Sequence, residues 1–170
     1  MINARLNTDT ITSNEAEAFS LYEKSNFGEK TGEKILFTGV ETLFLQEEEK
    51  MNVFSNKKLL SNEELIKKLK KHDKRIELKY LVFRDLRKRG YVIKTALKFG
   101  ADFRVYSKGA RPGEEHAKWL VFAVKENSPL IWQEFAAKNR IAHGTKKNLL
   151  IGIVDEESDI TYYEISWLKP

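Results

Sequence analysis

The sequence predicts a small α+β unit followed by an α/β domain with a mixed β-sheet, and three observations carry that prediction. Short strand-like runs and amphipathic helical stretches are mixed through the first 77 residues. The pattern changes after Arg75, where a strong helical face stops at Gly90 and strand-like segments follow. The chain then ends on two strand-like segments across an acidic turn. A chain of 170 residues is enough for one ordinary domain or two small ones. The division predicted is 1–77, a small α+β unit, and 78–170, an α/β unit.

In chain order, Thr12-Ser13-Asn14-Glu15 has a hydroxyl followed three residues on by a glutamate, the pattern of a capping box. It predicts a helix carrying Ala16, Phe19 and Leu21-Tyr22 that frays near Gly28. Lys34–Phe37 and Met51–Phe54 are short strand candidates. Between them Val40, Leu43, Phe44 and Glu47 fall at helical spacing, predicting a helix from Gly39 to Lys50. Ser61-Asn62-Glu63-Glu64 is a second capping box, opening a helix with Leu65, Ile66 and Leu69 on one face. The basic run from Lys67 to Lys74 reads as a solvated helix face and linker, or as an RNA contact.

In the second half, Leu78, Leu81, Val82, Asp85, Leu86 and Arg89 mark a helix ended by Gly90, since glycine readily takes the left-handed conformation that closes a helix. Strands are predicted over Tyr91–Leu97, Asp102–Tyr106 and Trp119–Val124. Ser128-Pro129 then predicts a helix start, proline being tolerated in a first turn; that helix holds Ile131, Trp132, Phe135 and Ala136. Asn148–Val154 and Ile160–Trp167 predict a hairpin across Asp155-Glu156-Glu157-Ser158-Asp159.

Composition limits the chemistry. Apolar residues make up 41% and charged residues 32%, a globular balance rather than a disordered one. No apolar run approaches the roughly 20 residues of a membrane helix. Met1–Arg5 shows no basic segment leading into an apolar one, so a cytoplasmic protein is expected. With no cysteine, disulfides, thiolate zinc sites and cysteine nucleophiles are excluded. The net charge of +5 suits a polyanionic partner, because lysine and arginine release condensed counterions when they meet phosphates. His72, His116 and His143 show no metal-ligand spacing. There is no Gly-rich phosphate loop and no Gly-x-Ser-x-Gly elbow, so neither a nucleotide cofactor, a metal nor a serine nucleophile is indicated.

Two segments stand out. Gly100-Ala101-Asp102-Phe103-Arg104-Val105-Tyr106 leads into a polar loop with Lys108, Arg111 and Pro112-Gly113, which ends on Glu114-Glu115-His116. A tyrosine at the start of the loop and a histidine at its end could converge on a phosphate. Arg140 to Ile151 is a helix end turning through Lys146-Lys147 into a strand, which sets a cation at the mouth of a rigid element. Each has a plainer reading: a structural tyrosine, a surface histidine, and a basic helix end complementing its dipole.

Taken together, these motifs resemble the archaeal tRNA-splicing endonucleases. The stretch Leu78–Thr95, the Gly100–Tyr106 motif, the Glu115-His116 step and Leu149-Leu150-Ile151-Gly152-Ile153-Val154-Asp155 carry the resemblance, in the family's order. It covers residues 76 to 170 well. The first half matches loosely, mainly at Val40–Leu45. The resemblance implies Tyr106 as general base, His116 as general acid and Lys147 as the cation that stabilises the transition state. Lys147 is preferred over the adjacent Lys146 because it lies two residues before Leu149-Leu150, where the family carries its lysine. Arg140 matches an arginine that stacks on a bulged base. Gly144-Thr145 departs from the family, where serine and valine commonly follow the histidine.

The implied reaction is metal-independent attack of a ribose 2′-OH on its own phosphate, giving 2′,3′-cyclic phosphate and 5′-OH ends. It needs a base, an acid and positive charge at the phosphorane. A tyrosine, ordinarily titrating near 10, serves as a base only beside a cation, and Lys147 is the candidate. The implied substrate is precursor tRNA with a bulge-helix-bulge. The implied assembly has four subunits: a homotetramer, or a heterotetramer with a second subunit type. In it the Ile160–Trp167 strand pairs two subunits, and Asp155, Glu156, Glu157 and Asp159 dock into a basic pocket on another. The alternatives are a non-catalytic, RNA-binding subunit of such a complex, a plain RNA-binding module, and a metal nuclease of the restriction-endonuclease type, whose outline the catalytic domain is expected to echo. That last class needs an acidic pair, and the corresponding slot reads His116-Ala117-Lys118.

Overall fold

A computed structural model describes residues 1–170. The chain forms two compact units, Met1–Tyr80 and Leu81–Pro170. No helix is long and apolar enough to cross a membrane.

The first unit contains β1 (Ile2–Asn7), β2 (Thr10–Ser13), α1 (Ala16–Ser25), β3 (Glu29–Thr31), β4 (Lys34–Phe37), α2 (Gly39–Glu47), β5 (Met51–Ser55), β6 (Lys58–Leu59) and α3 (Asn62–Leu69). Its strands form one mixed sheet ordered β3-β4-β2-β1-β5-β6, with β1 and β5 parallel. In β1, Ile2, Ala4 and Leu6 are buried while Asn3, Arg5 and Asn7 are exposed, the period-2 pattern of a strand with one face on a core.

The capping box expected at Thr12 does not form. Thr12 pairs with Leu36 inside β2, and α1 starts at Ala16 with no side-chain cap. Glu15, the expected box glutamate, instead accepts hydrogen bonds from the Asn3 backbone N–H (2.8 Å) and side-chain amide (2.9 Å). The box at Ser61 does form, and Thr38 and Glu41 make another at the head of α2. Glu41 is buried, and Oε1 of its carboxylate also accepts the Gly28 N–H at 2.9 Å. Gly28 has φ +71°, and a Cβ there would stand 2.4 Å from Ile35 Cγ2, so no other residue fits. Past α3 the basic run is solvent-facing; Lys70 pairs with Glu77 and Lys79 with Asp73.

The helix α4 (Ile76–Lys88) ends, as expected, before Gly90, which has φ +92°. The second unit continues with β7 (Val92–Ala96), a 3-10 turn (Leu97–Phe99), β8 (Ala101–Tyr106), β9 (Trp119–Lys125), α5 (Trp132–Gly144), β10 (Asn148–Val154) and β11 (Ile160–Ile165). The sheet order is β11-β10-β9-β8-β7, with β9 and β10 parallel across α5 and every other pair antiparallel. α5 does not start at Ser128-Pro129. Ser128 donates its N–H to Lys125 O in a turn closing β9, and the helix begins at Trp132 after an uncapped Ile131.

Alternation along the strands gives the sheet two different faces. Phe103, Val121, Leu150 and Gly152 share one with α4, where Phe83 packs on Phe103 at 5.9 Å between ring centroids. Leu120, Leu149 and Phe122 form the other, packed against Ala142 and Phe135 of α5. The site of interest lies on this second face.

Candidate active site

Tyr106 is the last residue of β8 and pairs with Val92 of β7. Its two residues of strand above it, Arg104 and Asp102, share its face. The next strands align the same row. Val105 pairs with Trp119, and Trp119 with Asn148, so the residues one step beyond are Tyr106, Lys118 and Lys147. Backbone hydrogen bonds hold that row: Lys118 N–H to Val105 O at 2.8 Å and Asn148 N–H to Lys118 O at 3.1 Å. Strands lie about 4.8 Å apart, so Tyr106 and Lys147 stand roughly 10 Å apart at the backbone, on one face of the sheet.

The turn after α5 explains which lysine enters the row. Lys147 N–H bonds back to Ala142 O at 2.9 Å, while Lys146 takes the left-handed conformation with φ +56°. That reversal directs the chain into β10 with Lys147 half-buried at its mouth and Lys146 exposed outside the register. Lys147 Nζ donates to Thr145 O at 2.8 Å and lies 5.6 Å from the centre of the Phe99 ring. Burial, and then the Arg104 guanidinium, hold its pKa below the usual lysine range.

The loop from β8 to β9 brings in the histidine. Ala110 and Ala117 are buried together with Val92 and Tyr106, which pins both ends of the loop onto the tyrosine. Arg111 O accepts the Glu115 N–H at 3.0 Å, and Glu115 Oε1 accepts the Arg111 N–H at 3.3 Å, closing the loop on itself. His116 precedes Ala117, so it is held next to the Tyr106 end of the sheet with its imidazole exposed. Tyr106 itself is 4% exposed.

Arg140 lies on a different feature. It is exposed on α5 and lines a groove of about 500 Å³ with Trp132, Phe135, Asn139 and Trp167. In the acidic turn, Asp159 N–H bonds to Asp155 Oδ1 at 2.8 Å, and Glu126 Oε1 accepts the Glu156 N–H at 3.1 Å. Glu156, Glu157 and Asp159 are exposed and Asp155 is half-buried.

Arg104 lies inside the Gly100–Tyr106 motif, but its residue type alone assigns it no role. The signal was available in the alternation: two residues before Tyr106 on one strand means the same face.

The chain matches the family models described as the tRNA intron endonuclease N-terminal domain, over residues 2–66, and the catalytic C-terminal domain, over residues 76–162. It is 42% identical over 170 residues to a tRNA-splicing endonuclease of Thermococcus kodakarensis, covering 99% of each chain. A protein of the same name from Thermococcus onnurineus is 40% identical over 169 residues, covering 99% of this chain and 97% of that one. One from Nanoarchaeum equitans is 42% identical over 137 residues, covering 77% of this chain and 88% of its own. With both family domains matched in order and near-full-length archaeal relatives at about 40% identity, this chain belongs to the tRNA intron endonuclease family.

Proposed function

We propose that the chain cuts precursor tRNA at bulge-helix-bulge sites without a metal, leaving 2′,3′-cyclic phosphate and 5′-OH ends. What supports the reading is a tyrosine and a lysine in one row on one sheet face, with a histidine next to the buried Ala117 on the loop that follows the tyrosine. Tyr106 takes the proton of the ribose 2′-OH, whose oxygen attacks the neighbouring phosphorus. The bond from phosphorus to the 5′ oxygen breaks, and His116 donates the proton that oxygen requires. Lys147 stands against the charge that builds on the non-bridging oxygens. The nucleophile belongs to the substrate, so the protein needs none of its own.

Around this centre, Arg140 stacks on a splayed base, and the aromatic lining of its groove is suited to the same task. The working assembly is a tetramer of identical chains or one completed by a second subunit type. The β11 edge and the acidic turn Asp155–Asp159 supply the contacts. The reading also takes the second unit to share a restriction-endonuclease-like outline and the protein to act in the cytoplasm.

The test is cleavage of a bulge-helix-bulge RNA in EDTA by the purified chain, with His116→Ala alongside. Cutting to a cyclic phosphate that disappears in the variant supports the reading. RNA that is bound but left whole supports instead a non-catalytic subunit, and cutting that appears only on adding magnesium overturns the metal-independent reaction.

A further inference from the structure

Arg104 is a half-buried cation without a counterpart. Its Nε is shut off from water and has no hydrogen-bond partner. Buried donors in folded proteins are nearly always paired, and leaving one unmade costs free energy that selection ordinarily removes. Its neighbours make the position more costly still. Across the β7–β8 ladder it pairs with Lys94, a like charge directly opposite. Lys147 is near enough for Arg104 to act on it electrostatically. The acid two residues back on the same face, Asp102, accepts the Ala123 N–H on Oδ2 at 2.9 Å. Arg104 sits about 7 Å along β8 from Tyr106 and on its side of the sheet. An arginine so placed has no counter-ion in the free protein and gains one when an anion enters.

We propose that Arg104 contacts a backbone phosphate of the bound RNA, sharing with Lys147 an anion site on the Tyr106 face of the sheet. The inference rests on the cleavage reading above and extends it to a residue outside the base, acid and cation. The planar guanidinium offers several donors in a fixed geometry, so it can hold a phosphate by two oxygens where an ammonium holds it as a point charge. Phosphate binding also gives the guanidinium a counter-ion and offsets the repulsion between Arg104 and Lys147.

The test compares wild type, Arg104→Met and Arg104→Lys on a bulge-helix-bulge RNA with 2′-deoxyribose at the cut positions, which cannot react. The dissociation constant is measured across a series of KCl concentrations. Thermal melting without RNA and single-turnover cutting of the all-ribose RNA complete the set. Arg104→Met is expected to bind roughly tenfold more weakly, to lose about one unit of salt slope, and to melt no lower than wild type. Arg104→Lys is expected to keep the salt slope and cut more slowly than wild type. Unchanged affinity and salt slope in Arg104→Met overturn the proposal. So does a variant that melts lower yet keeps the slope, since that marks a structural arginine. A wild type that binds with the full slope but does not cut defeats the cleavage reading and leaves the phosphate contact measurable; a wild type that does not bind defeats both.

Discussion

The Asp102 carboxylate accepts the backbone N–H of Ala123 at 2.9 Å, taking over where the β8–β9 ladder stops. The regular pairs run only from Val105–Trp119 to Phe103–Val121, and the β7–β8 register shifts at Thr95–Ala96. A side chain here replaces a backbone acceptor, so β9 continues beside β10 without an orphaned donor. The acid within the Gly100–Tyr106 motif is therefore structural, though it lies two residues from Arg104 on the face of the site.

Asp102→Ala should accordingly destabilise the protein by about 2 kcal/mol, the range for a buried hydrogen bond to a charged group. Asp102 is 8% exposed, so water replaces the lost acceptor poorly. A urea midpoint lowered by that amount checks it. A midpoint unchanged from wild type would mean the Ala123 donor finds another partner.

Much of this architecture was legible, for physical reasons that differ along the chain. The Ser61 box was readable because a cap is a local bond between residues three apart, and α4 was readable from its long one-sided apolar spacing and Gly90. Strands β1 and β2 were missed. They pair with each other, but β1 is also held by β5 and β2 by β4, which lie far along the chain. Thr12 looks like a cap in isolation, but it sits in the sheet between Arg5 and Leu36, and Glu15 finds Asn3 rather than its own helix end. Pro129 misled similarly, because the turn that closes β9 uses Ser128 first. At the site, the motifs gave the residue types, while the common face of Tyr106, Arg104 and Lys147 required the register across three strands.

Gly152 illustrates a packing demand that composition hides. A Cβ there would stand 3.2 Å from Tyr162 Cε1 and 3.3 Å from Val82 Cγ2, between β11 and α4. Tyr162 has little room to yield, since its hydroxyl donates to Asp85 at 2.8 Å. Gly152→Ala should cost about 1–3 kcal/mol as an overpacked contact. Gly32→Ala makes a useful comparison: nothing lies within 4 Å of its Cβ, and only its φ of +58° opposes the change. Melting curves of the two separate crowding from backbone strain.

Glu164 links two strand ends to β11, accepting the Trp119 indole N–H at 2.8 Å and the Asn148 amide at 2.6 Å. Those bonds, the indole first, hold its carboxyl below the ordinary 4.5. A lowered folded-state value means the stability it supplies is present above the unfolded value and is lost as pH falls through the folded one. Wild type should therefore lose melting temperature faster than Glu164→Gln as pH drops below about 4.5. The gap should be small, because the carboxylate is exposed and water screens it. Parallel melting curves for the two proteins through that range would show that Glu164 does not contribute to acid sensitivity.

The two adjacent lysines give the sharpest test of how the turn after α5 serves the site. Lys147 is in register with Lys118 and Tyr106, half-buried, with its ammonium on Thr145 O, whereas Lys146 is exposed and in the left-handed conformation. Lys147→Ala should slow single-turnover cleavage by about 10²–10³-fold, the loss expected when one group stabilising a developing anion is removed. Lys146→Asn keeps a residue that tolerates positive φ, so the turn survives and only the charge is lost. It should weaken RNA binding slightly and leave the cleavage step within about threefold of wild type, as expected for a solvent-facing phosphate contact. Both rates are read from end-labelled RNA at saturating enzyme, where binding no longer contributes. A larger defect in Lys146→Asn than in Lys147→Ala would assign the cation to the other side of the turn and break the row of Tyr106, Lys118 and Lys147 as the frame of the site.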